Sequence, residues 1–325
     1  MVIDSDILKK IRLEDLHVFE VLCRLKNYSA AAKKVDKTQG TISVDINKLE
    51  DTLGTELIHR TSKTFEVSKH GKEFLKFAKG TLHNFENMIA RFNLSEKMEP
   101  KDYIGSISIS SSSIPGEYIL PRIMSHFKTK YANVEFIISI TNSSEALHKL
   151  LNNDSDFAVV GFNPAEKTGD GIENEENIEF IPIAEDELVF ICSNNHKILE
   201  KKNITLDDVY EFPFVLREEG SATRDRFISS KYYRKDIKVE FILNSNQSIL
   251  SAILDTPFIT ILSKNTIQLI HGKNKKEPVN PLYKILQPKD YNSIKRNFYL
   301  VRRKDADLNP IGVIFWKQSK KIASK

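Results

Sequence analysis

The spacing of apolar residues near the start of the chain predicts three helices. The first covers residues 12–26. The second begins at Ser29, whose hydroxyl is suited to cap free backbone N–H groups. The third begins near Thr38 and ends at Gly54, because glycine tolerates the left-handed backbone of a helix C-terminus. Along the third helix, apolar residues recur at i, i+4, i+7 and i+11 and form one stripe: Ile42, Ile46, Leu49 and Leu53.

The opposite side of the third predicted helix is polar. Beyond Thr38, where the helix begins, it carries Gln39, Gly40, Thr41, Ser43, Asp45 and Lys48. Hydroxyl and amide groups at a helix N-terminus are suited to base edges and phosphates in a DNA major groove. Two short extended runs then flank Arg60 and Lys63 and predict a two-stranded wing whose cations reach phosphate. A helical hairpin with a solvated polar face and solvated cations fits the same pattern.

A long helix is predicted to start at Ser68, and its apolar residues repeat every seven positions. Two such repeats, offset by three residues, form the seam of a coiled coil. The seam predicts a dimerising linker helix with these interface residues: Leu75, Ala78, Leu82, Phe85 and Ile89. Three heptads are short, so packing of this helix against its own domain is the alternative.

Beyond Pro100, strand-like runs alternate with amphipathic stretches in a βαβαβ order, which predicts a parallel sheet flanked by helices. A second α/β unit is predicted from residue 178, with separate strands over 181–183 and 188–192. The final part adds one strand over 298–301 and a helix from about Pro310. Two such units imply a cleft between them, where ligands bind beyond the carboxyl ends of strands.

These patterns predict an α/β chain with an N-terminal helical and winged part. The predicted boundaries separate a helical and winged domain over residues 1–67, a linker helix over 68–99 and an α/β domain with a ligand cleft over 100–325. Within the third, subdomain I takes residues from about 104–170 and 275–325, and subdomain II takes about 178–270.

A run of serines ends the first strand of the α/β domain and leads into a helix near Glu117. Hydroxyls and free N–H groups at such a position bind an anion or simply cap the helix. Thr141 and Asn142 are predicted on the same rim as Ser112 and Ser113. From the second unit, across the cleft, come Ser221, Thr223 and Arg224. Arg217 and Arg224 either pair a ligand's carboxylate or sulfate bidentately, or pair with neighbouring glutamates.

Composition adds to this interpretation only in the N-terminal part of the chain. The chain has 325 residues, 40% hydrophobic and 28% charged, which favours two or three globular units. The net charge of +4 is too small to indicate a nucleic-acid partner. Between Arg24 and Lys79, however, twelve Lys or Arg residues stand against seven Asp or Glu, an excess of five that favours a polyanion and also fits a solvated face.

Other functions find no support in the sequence. The two cysteines are far apart, the histidines are scattered, and no nucleotide-binding or nucleophile-elbow motif occurs. The N-terminus lacks the order of a signal peptide, and no apolar run approaches the ~18 residues of a membrane span. We therefore expect a cytoplasmic protein without a cofactor, a metal or a membrane partner.

The chain resembles the LysR-type transcriptional regulators. The N-terminal motif that carries the resemblance is Ser29-x-Ala31-Ala32, Thr38-Gln39, Ser43, Ile46, Leu49-Glu50, Leu53-Gly54, Leu57, Arg60, Ser68 and Gly71. Segments 114–121, 216–224 and 298–304 resemble the family's effector domain, which has a periplasmic-binding-protein fold with two subdomains. Val44, Asp45 and Ala222 depart from the family's pattern.

The resemblance implies a winged helix-turn-helix regulator that binds double-stranded promoter DNA as a dimer of dimers and is not an enzyme. It places Thr38, Gln39, Thr41 and Ser43 at the start of the recognition helix. It also places effector contacts at Ser112, Ser113 and Thr223, for a small and anionic molecule, and implies RNA polymerase as a further partner. The alternative is a solute-binding or enzymatic α/β protein with an accessory helical domain.

Overall fold

A computed structural model describes residues 10–61, 64–92, 99–164, 177–268 and 282–323. Lys63 and the side chain of Arg60 lie outside the described part. The chain divides into two compact units. The first comprises residues 1–95 with 152–154 and 307–310, and the second comprises 96–151, 155–306 and 311–325.

The first unit contains the predicted helices, wing and long helix. Its elements are α1 (Leu13–Leu25), α2 (Tyr28–Lys34), α3 (Gln39–Leu53), β1 (Ile58–Thr61), β2 (Thr64–Val67) and α4 (Lys69–Phe92). The apolar stripe of α3 is buried, with Ile42 and Ile46 packed beside Phe19 and Leu22 of α1. Burial of these side chains is what holds the short helices together, since helices of this length are marginal alone.

Three of the four predicted helix ends are confirmed, and one is wrong. Thr38 accepts a hydrogen bond from Thr41 N at 3.1 Å, and Gly54 ends α3 with φ of +66°. Ser68 Oγ accepts from Gly71 N at 2.9 Å at the start of α4. Ser29 does not cap α2, because Asn27 accepts from Ala30 N at 2.9 Å and starts the helix two residues earlier.

The seam of α4 is not uniformly exposed. Leu75 packs against the core of the first unit, and Ala78 is completely buried. Phe85 and Ile89 are 41% and 42% exposed. Because Ala78 has no accessible surface within the chain, it belongs to the core and is withdrawn from the predicted dimer interface. The exposed apolar part of the seam lies in the C-terminal half of α4.

The second unit is built on a mixed sheet with the order β10–β6–β11–β5–β3–β4, to which β9 adds by pairing with β6. The strands are β3 (Gly105–Ser112), β4 (Val134–Thr141), β5 (Phe157–Val160), β6 (Ile178–Ser193), β9 (Thr260–Ser263), β10 (Tyr283–Leu286) and β11 (Ile294–Arg303). The strands β4 and β5 run parallel to β3, as predicted. A smaller sheet pairs β7 (Phe214–Arg217) with β8 (Val239–Leu243), also in parallel.

Helices flank these sheets. They are α5 (Leu120–Lys128), α6 (Ser143–Leu151), α7 (Leu206–Tyr210), α8 (Ala222–Ile228), α9 (Asn246–Ile253), α10 (Asn265–Gln268) and α11 (Pro310–Ala323). No helix in the described ranges is long and apolar enough to cross a membrane.

The prediction of two strands over 181–183 and 188–192 is wrong, because β6 is continuous for 16 residues. It pairs antiparallel with β11 over ten residues, with a register shift at Phe298 and Tyr299. The predicted strand over 298–301 is therefore part of a longer one. Antiparallel pairing between these long strands joins what the sequence predicted as two separate parallel units.

Candidate functional site

The N-terminal end of α3 presents a polar surface. Thr38, Gln39 and Thr41 are exposed, and so is Lys48, about two helical turns beyond Thr41. Ser43 is half-buried. Val44 is 64% exposed, so an apolar side chain also stands on this surface. The prediction that hydroxyl and amide groups face outward here agrees with the fold.

Gln39 is held by a neighbour in the preceding helix. Ser29 Oγ donates a hydrogen bond to Gln39 Oε1 at 2.9 Å. The carbonyl oxygen of the amide is thereby engaged, and the amide NH₂ remains the group that Gln39 offers outward. Ser29 therefore orients a surface residue of α3 instead of capping α2.

Glu50 fixes the wing to α3, a role that the sequence did not reveal. Its Oε1 accepts from Leu57 N at 2.8 Å and from Ile58 N at 3.0 Å, and the residue is buried. A buried carboxylate that accepts two backbone N–H groups is strongly oriented. The start of β1, and with it the position of the wing, is thus tied to α3.

The second unit brings together five of the seven predicted effector residues around one cavity. These are Ser112, Ser113, Asn142, Ser221 and Thr223. Thr141 is paired with Ser112 in the sheet but does not line the cavity, and neither does Arg224. The rest of the lining is Ile114, Ser143, Arg217, Ala222, Arg296 and Phe298, of which the sequence missed Arg296 and Phe298. This serine-lined cavity is nearly closed, with a volume of ≈ 20 Å³.

Arg217 is buried at the edge of this cavity and is already paired. Its Nε and Nη2 donate to the two carboxylate oxygens of Glu218 at 2.8 and 3.0 Å. The remaining nitrogen donates to Asn246 Oδ1 at 2.9 Å, and Nη2 also reaches Ser113 Oγ at 3.3 Å. Arg217 therefore pairs with a neighbouring glutamate, one of the two roles that the sequence predicted for it. To bind a ligand, the same guanidinium would have to extend past Glu218.

Arg296, a residue that the sequence did not single out, forms a second buried ion pair. Its Nε and Nη2 each lie 2.8 Å from Asp186 Oδ2, and Nη1 donates to Thr223 Oγ1 at 3.1 Å. Asp186 also accepts from Ser263 Oγ and Asn265 Nδ2. Burial lowers the pKa of Arg296; Asp186 opposes this, and the nearby positive charge of Arg217 lowers it further.

A larger cavity of ≈ 530 Å³ lies next to the serine-lined cavity. Both are lined by Arg296, so its guanidinium is part of the wall between them. The larger cavity has a charged lining from the middle of β6 and β11, including Glu185, Glu187 and Lys295. Its volume falls in the range of small-molecule sites.

One hydroxyl in the serine-lined cavity lacks a partner. Ser112 Oγ is buried, and no hydrogen-bonding group among the described residues satisfies it. The chain turns helical at Ser113 and continues as a π-helical segment over Pro115–Ile119. A buried unpaired hydroxyl beside a helix start and two guanidinium groups is suited to hydrogen bonding with a small anion.

Comparison with known proteins identifies the family. The model of the LysR substrate binding domain matches residues 101–320, and that of the bacterial regulatory helix-turn-helix protein, lysR family, matches residues 13–72. An uncharacterised HTH-type transcriptional regulator of Methanocaldococcus jannaschii is 30% identical over 316 residues, which cover 96% of this chain and 99% of that relative. The chain belongs to the LysR-type transcriptional regulators.

The predicted resemblance and fold class are confirmed, and the family makes the chain a DNA-binding regulator with an effector-binding domain, not an enzyme. Two solved structures share its fold. CbnR in complex with its target DNA has a TM-score of 0.65 at 17% identity, covering 96% of this chain and 100% of CbnR. The CcmR regulatory domain of Synechocystis PCC6803 in complex with 2-PG has a TM-score of 0.55 at 24% identity, covering 68% and 98%.

Proposed function

We propose that α3 is the recognition helix and that the wing contributes phosphate contacts. The observation that carries this proposal is the exposed polar end of α3, with Gln39 oriented by Ser29. Thr38, Thr41, Ser43 and Lys48 surround it, and Arg60 and Lys63 belong to the wing by sequence. The fold shared with CbnR, whose structure holds target DNA, supports this orientation.

A mobility-shift titration tests the assignment, with DNA that the wild-type chain selects from a random pool. Gln39→Ala is expected to weaken binding by about 1–3 kcal/mol and to relax preference at one position, because it removes a base contact. Arg60→Ala is expected to weaken binding to all sequences and to reduce the salt slope by about 1. Lys202→Ala, an exposed lysine of the second unit, is the control. Wild-type affinity in both test variants would remove the assignment.

We also propose that a small anion in the serine-lined cavity is the effector. Ser112, Ser113, Asn142, Ser221 and Thr223 supply its hydrogen bonds; Thr141 and Arg224 do not line the cavity and are weaker candidates. The unpaired Ser112 hydroxyl and the two guanidinium groups support an anionic ligand. Entry requires the nearly closed cavity to widen, because its ≈ 20 Å³ is below the volume of any organic anion.

A thermal-shift titration with 2-PG and, separately, with sulfate tests the effector site. Wild-type protein is expected to show a rise in Tm, since a ligand that binds only the folded state stabilises it. Thr223→Ala is expected to abolish that rise, whereas Ser125→Ala, at an exposed serine of α5, leaves it intact. A rise that persists in Thr223→Ala places the ligand elsewhere.

We propose that α4 forms the dimer and that the second units join dimers into a tetramer. Phe85 and Ile89 supply the exposed seam, together with the half-buried Leu82, and Phe92 at 74% exposure extends it. In the second unit, Ile137 on β4 and Ile242 on β8 are 60% and 55% exposed. Both strands end a described sheet, and an exposed apolar edge strand is suited to pairing with a second copy.

A further inference from the structure

The acidic side chain in the middle of α3 is compensated by a lysine that precedes the helix. Lys37 Nζ donates to Asp45 Oδ2 at 2.8 Å and lies 2.6 Å from Glu14 Oε1 of α1. The side chains of Lys37 and Asp45 are 19% and 17% exposed, so this pair is largely covered. One ammonium group thus joins the start of α1 to the middle of α3.

The surrounding charges make Lys37 the decisive partner. Glu14 also lies 3.3 Å from Arg12 Nη1, and Arg12 is engaged in turn by Asp15 at 2.8 Å. Three carboxylates are therefore in direct contact with two cations, while Lys48 acts on Asp15 and Arg12 on Asp45 only through longer-range charge. Hydrogen bonds to Asp45 and to Glu14 raise the pKa of Lys37, which keeps its ammonium charged.

Asp45 lies close enough to the N-terminal end of α3 for its charge to affect nucleic-acid binding there. At 1.5 Å of rise per residue, Asp45 lies about 6–9 Å along α3 from Thr41 and Gln39. This distance is close to the Debye length of about 8 Å at physiological ionic strength. An uncompensated carboxylate there would repel the phosphates of any DNA that the end of α3 approaches.

We propose that Lys37 is a positioning residue for DNA recognition. It neutralises Asp45 and holds the Asp45 carboxylate beside α1, so that this carboxylate does not face the nucleic acid. The proposal rests on the assignment of α3 as the recognition helix. Lys37 acts through Asp45, and its own ammonium is occupied by two carboxylates. An aspartate is thereby compatible with a recognition helix that carries few cations.

A double-mutant cycle in the full-length chain tests the proposal by mobility shift on the selected DNA. Lys37→Met is expected to weaken binding to every sequence about tenfold at low salt, because it leaves Asp45 as a bare carboxylate. The loss is expected to shrink as salt screens the repulsion. Adding Asp45→Asn to Lys37→Met is expected to restore affinity to within twofold of Asp45→Asn alone, and Lys37→Arg is the charge-conserving control.

Two outcomes would overturn the proposal. If Lys37→Met and Asp45→Asn together bind as weakly as Lys37→Met alone, Lys37 contacts phosphate directly. If Lys37→Met binds like wild type, Asp45 does not influence binding. Should Lys37→Met melt below the assay temperature, Lys37→Gln repeats the cycle, because it removes the charge but keeps a donor for Asp45.

The same titrations separate this proposal from the assignment of α3. If Gln39→Ala weakens binding while Lys37→Met does not, the recognition helix stands and the role of Lys37 falls. If neither variant changes affinity, the assignment of α3 itself fails. If the wild-type chain selects no DNA sequence from the random pool, both the assignment of α3 and the role of Lys37 are wrong.

Discussion

The buried cations of the second unit differ in what holds them. Arg217 pairs with Glu218, its neighbour in sequence, whereas Arg296 pairs with Asp186 on another strand. Both side chains of the Arg296–Asp186 pair are almost inaccessible, at 4% and 0% exposure. Removing one partner of such a pair leaves a buried charge without compensation, which costs far more than the pair itself contributes.

Arg296→Met is therefore expected to lower the free energy of unfolding by about 3–5 kcal/mol, because it orphans Asp186. Adding Asp186→Asn to it is expected to recover part of this loss, since the uncompensated charge disappears. Arg302→Met is the matched control, because its partner Glu179 is 30% exposed and a pair of that kind contributes about 1 kcal/mol or less. Urea denaturation measures all three variants; equal losses in Arg296→Met and Arg302→Met would contradict the argument.

Among the residues that line the serine-lined cavity, the sequence predicted the hydroxyl-bearing side chains better than the charged ones. Ser112, Ser113 and Thr223 stand in recognisable segments at the ends of strands. Asp186 and Arg296 are 110 residues apart, and each alone resembles a solvated surface charge. Their importance arises from pairing across β6 and β11, which no local pattern records.

At the scale of single elements, the junction of the wing and α4 is tightly packed at Gly71. A Cβ added to Gly71 would lie 2.1 Å from Leu57 O and 2.8 Å from Val67 Cγ1. The first of these is a backbone atom that cannot rotate away. At Gly40, on the surface of α3, an added Cβ would meet only Thr38 Oγ1 at 3.8 Å.

Gly71→Ala is expected to destabilise the first unit by roughly 1–3 kcal/mol, because the backbone of Leu57 must shift. Gly40→Ala is expected to stabilise it by about 0.5–1 kcal/mol, since alanine replaces glycine inside a helix without a clash. Hydrogen exchange of the amides in α3 and β1 measures both in the full chain. Similar protection in the two variants would show that the Leu57 contact is not rigid.

Elements were predictable where their signals are local. Thr38 and Ser68 begin helices through groups three residues away, Gly54 ends α3 through its own left-handed backbone, and all three are confirmed. The error at Ser29 is also local, because Asn27 is an equally good cap that stands earlier. The break predicted inside β6 has a nonlocal cause: the polar residues around Asp186 face cross-strand partners on β11, including Arg296, so the strand continues.

At the scale of the whole molecule, the C-terminal half of α4 is where we propose that two copies of the chain associate. Phe85→Glu and Ile89→Glu are each expected to weaken dimer formation about tenfold or more, because burying such a side chain contributes about 1.5–3 kcal/mol. Asn84→Glu adds the same charge at an exposed position outside the seam and is expected to leave association unchanged. Sedimentation velocity across a concentration series measures each variant. Equal effects of all three would point to charge, not to the seam.

Because β11 lies in the middle of the sheet but late in the chain, it determines which part of the protein folds first during synthesis. The helices and wing of the first unit lie within the first 92 residues, whereas β11 begins at Ile294 and separates β6 from β5 in the sheet. Until β11 leaves the ribosome, β6 and β5 have no strand to join them. Because domains fold as units while the chain emerges, the DNA-binding part gains its structure first. The effector cleft, whose wall includes Arg296 on β11, forms only when nearly the whole chain has been translated.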